Sequence, residues 1–280
     1  MQFGISTHLY HSERLSFDHL VEIAAHSFDA IELFATRSHF DYHDPRAVAT
    51  LDGWLKDIGL RLHSIHAPIA ESLVNGRWGG AFSNASADRT ARERAVAEAV
   101  AALEVAHRIP TGFIVVHLGV PASQQPQAGD NSRDAARHSL EQIYEAASPL
   151  GVGVAAEVIP NDLSAPTSLV HMLEEEVELP GAGICLDLGH AQMMGDLLDA
   201  IETVAEHLVT THVHDNRGRT DEHLPPFAGT IDWAAVMMEL QKVGYDGTLM
   251  LELAGTSTPR QALEMGRQAC DRFSELLAIR

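Results

Sequence analysis

Short apolar segments alternate with longer segments of helical periodicity along the whole 280-residue chain. Eight of the apolar segments have the length of buried strands, and they cover residues 3–6, 30–34, 60–66, 113–117, 153–157, 183–187, 209–214 and 248–252. Strands that alternate with helices form a parallel sheet, and eight such units close into a barrel. The sequence therefore predicts an α/β fold, a single (β/α)8 barrel spanning residues 1–280.

The segments between these strands carry helix signals. Asp44 followed by Pro45 is typical of an N-cap and the first helical residue. Residues 89–109 are rich in Ala with Glu and Arg interspersed, which favours a helix, and the same logic applies to 132–148, 166–177, 232–243 and 259–278. The weakest helix prediction follows the sixth strand, near residues 196–206.

Two long polar loops, 71–88 and 121–132, follow the third and fourth strands. In a barrel they lie on the face where loops build the active site. Each loop is either a lid over that site or a disordered insertion, and the sequence leaves both interpretations open.

Composition restricts the partners and the compartment. The formal net charge is −20, and so acidic a surface repels phosphate backbones and anionic membranes. A small neutral or metal-chelated substrate is favoured over nucleic acid. No apolar run approaches the roughly 18 residues of a membrane span, and no signal peptide is recognisable before the first strand. The two cysteines, Cys185 and Cys270, are compatible with a reducing cytoplasm, which is the expected location.

The last six predicted strands each finish with His, Asp or Glu, although the residues before those ends are almost all apolar. The carboxyl ends of the strands of a barrel converge on one mouth. A buried run has no reason to end in an ionisable group unless something satisfies it, and a bound cation removes that cost. The pattern predicts a divalent-metal site at this mouth, formed by residues at the strand ends, among them His66, His117, Glu157, Asp187, His212 and Glu252.

Not every member of this pattern is equally diagnostic. Taken singly, His66 or His117 is explained as well by a hydrogen-bonded core histidine as by a metal ligand. Glu157, Asp187 and Glu252 are harder to explain without ligation or catalysis, because each follows a hydrophobic strand.

The other ionisable residues are expected in the core, at the surface or at the mouth of the barrel. Cys185 shares a strand face with Asp187 and is expected to pack in the core one layer lower. Most remaining histidines, His39 among them, lie in helices or loops and are expected at the surface. Four residues are expected to line the mouth rather than to bind metal, and they are His8, Glu32, His63 and His214.

The chain resembles the xylose-isomerase-like TIM barrel superfamily, which includes ketose 3-epimerases, inosose dehydratases, sugar-phosphate isomerases and endonuclease IV. The resemblance runs over essentially the whole chain. Its motifs together are specific for the superfamily, but none of them identifies a substrate. The motifs are Ser64-Ile65-His66-Ala67-Pro68, Val116-His117-Leu118-Gly119, Asp187-Leu188-Gly189-His190, His212-Val213-His214-Asp215-Asn216, residues 221–226 and residues 229–233.

This resemblance implies two alternative metal sites. Epimerase-like members hold one Mn²⁺ or similar ion through four groups, which match Glu157, Asp187, His212 and Glu252. Endonuclease-like members hold three zinc ions with a larger set, whose additional members match His66, His117, His190, Asp221 and His223. All nine positions carry a competent ligand, so the expected cofactor is Zn or Mn, either one ion or up to three.

The resemblance also implies a mechanism. Glu157 and Glu252 would remove and return a proton beside a carbonyl through a metal-stabilised enediolate, and a dehydratase would share the first step. Substrate-binding roles are assigned to His190, if no outer ions are bound, and to Arg217 and Trp78. Arg217 is explained equally well as a solvated loop residue. Trp78 is explained equally well by packing in the core or in a lid.

Three functions follow from these expectations. The first is a metal-dependent sugar or sugar-phosphate isomerase or epimerase, and the second is an endonuclease IV-like hydrolase of abasic DNA. The third is a non-catalytic sugar-binding barrel, which the intact carboxylate pair disfavours. The acidic charge and the few arginines of the mouth loops favour the first, with a small sugar as partner. The resemblance is compatible with a homo-oligomer.

Overall fold

The computed structural model describes residues 1–254 and 258–278. Its centre is a closed barrel of eight parallel strands that pair in chain order, with the last strand beside the first. The strands are β1 Gln2–Ser6, β2 Ala30–Phe34, β3 Arg61–His66, β4 Phe113–Val116, β5 Gly153–Glu157, β6 Gly183–Asp187, β7 Leu208–Val213 and β8 Thr248–Leu251. The predicted (β/α)8 barrel is confirmed.

The helices cover the outside of the barrel and bury their apolar faces against it. Asp44 caps α2 by accepting a hydrogen bond from the Arg46 amide, and Pro45 begins that helix, as predicted. The helix predicted near residues 196–206 is α7, capped by Asp196. The helices are α1 Phe17–Ala25, α2 Pro45–Ile58, α3 Arg89–Leu103, α4 Arg133–Ala147, α5 Pro166–His171, α6 Leu188–Met194, α7 Leu197–Val204, α8 Trp233–Lys242 and α9 Pro259–Ala278.

Three strands end one residue earlier than predicted. Therefore His117, His214 and Glu252 follow β4, β7 and β8 rather than ending them. The backbone of Glu252 nevertheless stays on the sheet, because its amide donates to the carbonyl of Val213 over 3.1 Å. The three side chains consequently remain at the mouth of the barrel.

The barrel interior is packed below the mouth. Val115, Ala155 and Cys185 form a small buried cluster there, so Cys185 packs in the core as predicted. Both cysteines are free and buried. In the described part of the chain, no helix combines the length and apolar character that a bilayer crossing requires.

The loop that follows β3 contains a two-stranded hairpin. Leu73–Val74 pairs antiparallel with Arg77–Trp78. Asn75 and Gly76 both have positive φ, 52° and 71°, as a two-residue hairpin turn requires. The hairpin holds Trp78 beside the mouth, so residues 73–78 are ordered structure rather than a disordered insertion. Their role as a lid stays a prediction.

The expected surface position of His39 is wrong. The side chain is completely buried, and its Nδ1 donates to the carbonyl of Glu13 over 2.7 Å. Burial lowers the pKa of His39 from 6.5 to about 4. The imidazole is therefore neutral in the folded protein under neutral conditions.

We expect His39 to make folding sensitive to acid. In the unfolded chain His39 gains a proton below its ordinary pKa of 6.5, whereas in the folded chain it gains one only near pH 4. The contribution of neutral His39 to the free energy of unfolding is therefore fully present above pH 6.5 and is lost as the pH falls from 6.5 to 4. The expected loss at pH 5 is about 2 kcal/mol. Urea unfolding at pH 7 and pH 5 would measure it. His39→Gln should make the loss of stability between pH 7 and pH 5 smaller by about 2 kcal/mol, whereas His107→Gln, at an exposed site, should leave it unchanged. Equal pH dependence in the wild type and His39→Gln would contradict the explanation.

Candidate metal centre

Four buried side chains from four neighbouring strands meet at the mouth of the barrel. Glu157 and Asp187 end β5 and β6, His212 lies in β7, and Glu252 follows β8. One ligand atom from each lies within 4.8 Å of the others. His212 Nδ1 is 3.3 Å from Glu157 Oε1 and 3.3 Å from Glu252 Oε2. We call these four residues the inner group.

A second group consists of His66, His117 and Glu157. The Nε2 atoms of His66 and His117 lie 3.2 and 3.0 Å from Glu157 Oε2. Glu157 therefore presents one carboxylate oxygen to the inner group and the other to these two histidines. A carboxylate in this position can bridge two cations.

A third group consists of His190, His214, Asp221 and His223. The Nε2 atoms of His190 and His223 lie 3.2 and 3.1 Å from Asp221 Oδ2. Asp187 connects this group to the inner one, since its Oδ2 is 3.3 Å from His190 Nδ1 and its Oδ1 is 3.0 Å from His214 Nε2. The nine residues matched to the larger ligand set, together with His214, thus make up three contiguous groups.

The turn from β6 into α6 places two of these ligands. Asp187 ends the strand and also caps the helix, because its Oδ1 accepts a hydrogen bond of 2.7 Å from the His190 amide. His190 is thereby held one helical turn from Asp187. Gly189 lies against the ring of His214, and a Cβ there would be 2.1 Å from His214 Cε1. Glycine is therefore required for this close approach.

Asp215 organises the loop that carries Asp221 and His223. Its buried carboxylate accepts hydrogen bonds from the indole nitrogen of Trp233 at 2.9 Å and from the amide of Phe227 at 3.0 Å. The loop is held tightly enough that His223 adopts a left-handed conformation, φ 45°, which is unfavourable for a residue other than glycine.

The buried acids of the centre are paired with histidines. In the described residues, each ion pair of the inner carboxylates involves an imidazole rather than Lys or Arg. Burial by itself raises the pKa of Glu157, but the facing His117 and His212 outweigh burial and hold that pKa well below its ordinary value. Burial conversely lowers the pKa of His66, yet Glu157 raises it to about 9. A divalent cation binds these histidines only in their deprotonated form, so its binding competes with protons.

The unpaired atoms of the centre fit a metal. Among the described residues, Glu157 Oε1 and Oε2, His212 Nδ1 and His214 Nδ1 are buried without a hydrogen-bond partner. Leaving such atoms unsatisfied is costly, and a divalent cation would satisfy them. Carboxylate and imidazole ligands together suit Zn, Mn or Fe.

A cavity of about 480 Å³ opens above the centre, a size typical of small-molecule sites. Among the described residues, its lining includes ligands of the second and third groups together with apolar and aromatic side chains, but no Lys or Arg. The lining residues are His8, His11, Ile69, Ala70, Trp78, Gly79, Ala81, Phe82, His117, Gly119, Val120, Pro121, Gln124, Asp221, His223 and Ala254.

Of the three residues expected to bind substrate, Trp78 alone is in this lining. Its ring is 44% exposed and lies nearly parallel to that of His11, with centroids 5.9 Å apart. Arg217 is exposed and forms an ion pair with Glu222. His190 is buried in the third group. The structure thus does not bring Arg217 or His190 to the cavity surface.

Three residues that were expected to line the mouth lie against the ligand groups of the centre. His214 belongs to the third group, and its spacing of two residues from His212 was the available signal. His8 forms a further group with His223 and Glu252. Glu32 is a buried acid within an otherwise apolar strand and contacts His212.

Residues 20–272 match the family model described as the xylose isomerase-like TIM barrel. The chain belongs to this family. Among sequence relatives of this xylose isomerase-like barrel is the uncharacterized protein MJ1311 of Methanocaldococcus jannaschii. It is 27% identical over 259 residues, which cover 90% of this chain and 83% of the relative.

Solved structures of similar proteins support the same fold. A D-tagatose 3-epimerase-like protein is 24% identical, with a TM-score of 0.81 over 99% of this chain and 98% of its own. The IolI protein with a bound zinc atom is 15% identical, with a TM-score of 0.79 over 100% of both chains. At these identities the likeness shows the barrel fold, which this chain shares with epimerase- and isomerase-like enzymes.

Proposed function

We propose that this protein is a metal-dependent isomerase or epimerase of a small, unphosphorylated sugar. The observation that carries this proposal is the pair of buried carboxylates Glu157 and Glu252, whose oxygens both lie 3.3 Å from His212 Nδ1. Two acids of one ligand group that face the same space are suited to proton removal and return. The likeness to a D-tagatose 3-epimerase-like protein supports a sugar as substrate.

The proposed reaction starts with removal of a C–H proton beside a carbonyl. Glu157 Oε1 and Glu252 Oε2 approach from β5 and β8, so that one removes the proton and the other returns it. The lowered pKa of Glu157 keeps this carboxylate in its ionised form, which is the form that a base requires. A divalent ion held by the inner group would supply positive charge that stabilises negative charge on a substrate oxygen. A dehydratase would use the same first step.

The cavity supports a neutral substrate. Its aromatic walls, Trp78 and Phe82, suit the C–H face of a sugar, and the histidines at its base suit the hydroxyls. A phosphate group is usually bound by Lys or Arg, and neither is found among the described residues that line the cavity.

Phosphodiester hydrolysis of abasic DNA is the second candidate, and the two outer ligand groups favour it. Their assembly beside the inner group is the arrangement that several cations would require. The charges near the mouth disfavour it, because three of the five arginines of the mouth loops are paired with acids: Arg37 with Asp41, Arg89 with Glu93, and Arg217 with Glu222. Among the described residues, this leaves Arg77 and Arg219 as the mouth arginines without an ion pair, which is few for a DNA-binding face. A DNA-binding face needs free Lys and Arg.

Proton exchange with solvent tests the preferred function. We expect the metal-loaded protein, incubated in D2O with a panel of ketoses and aldoses, to replace a proton beside the carbonyl of at least one of them by deuterium, as seen by ¹H NMR. Chelator-treated protein is the control. A parallel assay would follow cleavage of an abasic-site oligonucleotide over a range of salt concentrations. Robust cleavage without sugar exchange would overturn the isomerase proposal in favour of the hydrolase.

Binding without exchange defines a third outcome. Thermal shifts with the same sugars, measured with and without chelator, would separate an enzyme from a receptor-like barrel. Sugar binding that is unaffected by metal removal would contradict a catalytic metal centre.

A further inference from the structure

Glu32 is a completely buried acid that the proposed chemistry does not use. Its Oε2 accepts a hydrogen bond of 2.9 Å from Ser64 Oγ and lies 3.1 Å from His212 Nε2. Its Oε1 has no hydrogen-bond partner among the residues that the structure describes. Burying a carboxylate is costly even when it is paired, and apolar packing alone would not call for an acid at this position. The acid therefore needs an explanation other than packing.

The position of Glu32 directs it across the barrel. It faces Ser64 in the register of β2 with β3, whereas His212 lies in β7, which is three strands from β2 around the barrel. The contact with His212 is therefore not a consequence of strand pairing. It joins the second strand to the inner group through the centre of the barrel.

The two ring nitrogens of His212 face different surroundings. Nε2 faces Glu32, whereas Nδ1 faces Glu157 Oε1 and Glu252 Oε2 at 3.3 Å each and has no hydrogen-bond partner among the described residues. A metal-binding histidine usually donates its other N–H to a carboxylate or carbonyl, which fixes the tautomer and the ring orientation. The surroundings of His212 match that arrangement.

We propose that Glu32 is a positioning residue for the metal centre, which accepts the Nε2–H of His212 and so presents the Nδ1 lone pair to the cation held by Glu157 and Glu252. The inference rests on the metal site of the proposed function and is independent of the identity of the sugar. Glu32 contacts neither the cavity nor the substrate in this role. It acts through His212.

Metal affinity tests this role without a substrate. We expect Glu32→Ala to weaken Zn²⁺ binding by about 10- to 100-fold in competition with a chromophoric chelator. Glu32→Gln, whose amide oxygen can accept the same hydrogen bond, should bind more tightly than Glu32→Ala. Glu98→Ala is the control, since Glu98 is a partly buried acid that binds Tyr42 and His43 outside the centre. It should keep the wild-type affinity.

The tautomer of His212 is a readout that a purely structural role would not change. In long-range ¹H–¹⁵N spectra of the Zn²⁺-loaded wild type, we expect the ring proton on Nε2 and the metal on Nδ1. A ring proton on Nδ1 would overturn the proposal even if Glu32→Ala failed to fold. Wild-type Zn²⁺ affinity in a folded Glu32→Ala variant would overturn the positioning role of Glu32 but not the proposed function. A wild-type protein that binds no divalent ion would overturn the metal-dependent function as well.

Discussion

Replacing Glu157 or Glu252 by glutamine is expected to abolish turnover while leaving the barrel folded. Glutamine keeps the shape of glutamate but neither accepts a proton as a base nor carries its negative charge. General acid–base catalysis contributes about 10²- to 10⁴-fold to a rate, so each variant should lose at least about 10²-fold in kcat. The measurement is kcat on a sugar identified by solvent exchange, with circular dichroism to verify folding.

Metal content must be measured in the same variants, because both glutamates also belong to the inner ligand group. A variant that retains its metal but not its turnover would isolate the acid–base role. Glu98→Gln is the matched control, since it makes the same substitution at an acid outside the centre and should keep the wild-type rate. Near-wild-type activity in Glu157→Gln or Glu252→Gln would show that the two-carboxylate mechanism is wrong.

Complete removal of divalent metal is expected to abolish activity and to lower thermal stability. Without a cation the buried carboxylates and the unpaired atoms of Glu157, His212 and His214 lose their common partner. A ligand present at about 1,000 times its Kd stabilises a fold by about 4 kcal/mol. For a domain of this size, its removal should lower Tm by about 8 °C. Scanning calorimetry before and after chelation would measure this shift.

Refilling the chelated protein with Zn²⁺ or Mn²⁺ should restore both Tm and turnover, and elemental analysis would give the number of ions. One ion per chain would indicate that only the inner group is filled, whereas three would indicate that the outer groups are filled and would favour the hydrolase. His117→Ala removes a ligand that belongs to the second group alone. If the wild type binds three ions per chain, this variant should bind fewer, and if the wild type binds one ion, the variant should bind one as well. Unchanged activity and Tm after verified removal of all metal would exclude a metal-dependent enzyme.

The barrel itself was predictable because its signals are local. Eight apolar segments and the helical segments between them identify the repeating unit, and the number of units identifies closure. The helix cap at Asp44-Pro45 was also readable, since it depends on neighbours in the chain. The surface position expected for His39 was wrong because its burial depends on long-range packing, which is seen in its hydrogen bond to the carbonyl of Glu13.

The types of residue at the mouth were likewise determined by the sequence, because parallel strands in a barrel must deliver their carboxyl ends to one face. How those residues group was decided only by the tertiary structure. The sharing of Glu157 and Asp187 between groups depends on side-chain directions across several strands. The place of His223 depends on a loop folded around Asp215.

The sequence by itself thus determined a barrel with His, Asp and Glu at its strand ends. Only the tertiary structure decided that Glu32 reaches His212 across the interior, that Arg217 is paired with Glu222, and that no Lys or Arg of the described ranges lines the cavity. The physical reason is the distance along the chain between the residues that interact. Strand and helix patterns depend on neighbours within a few residues, whereas the contact between Glu32 and His212 joins positions 180 residues apart, whose distance is set by barrel closure.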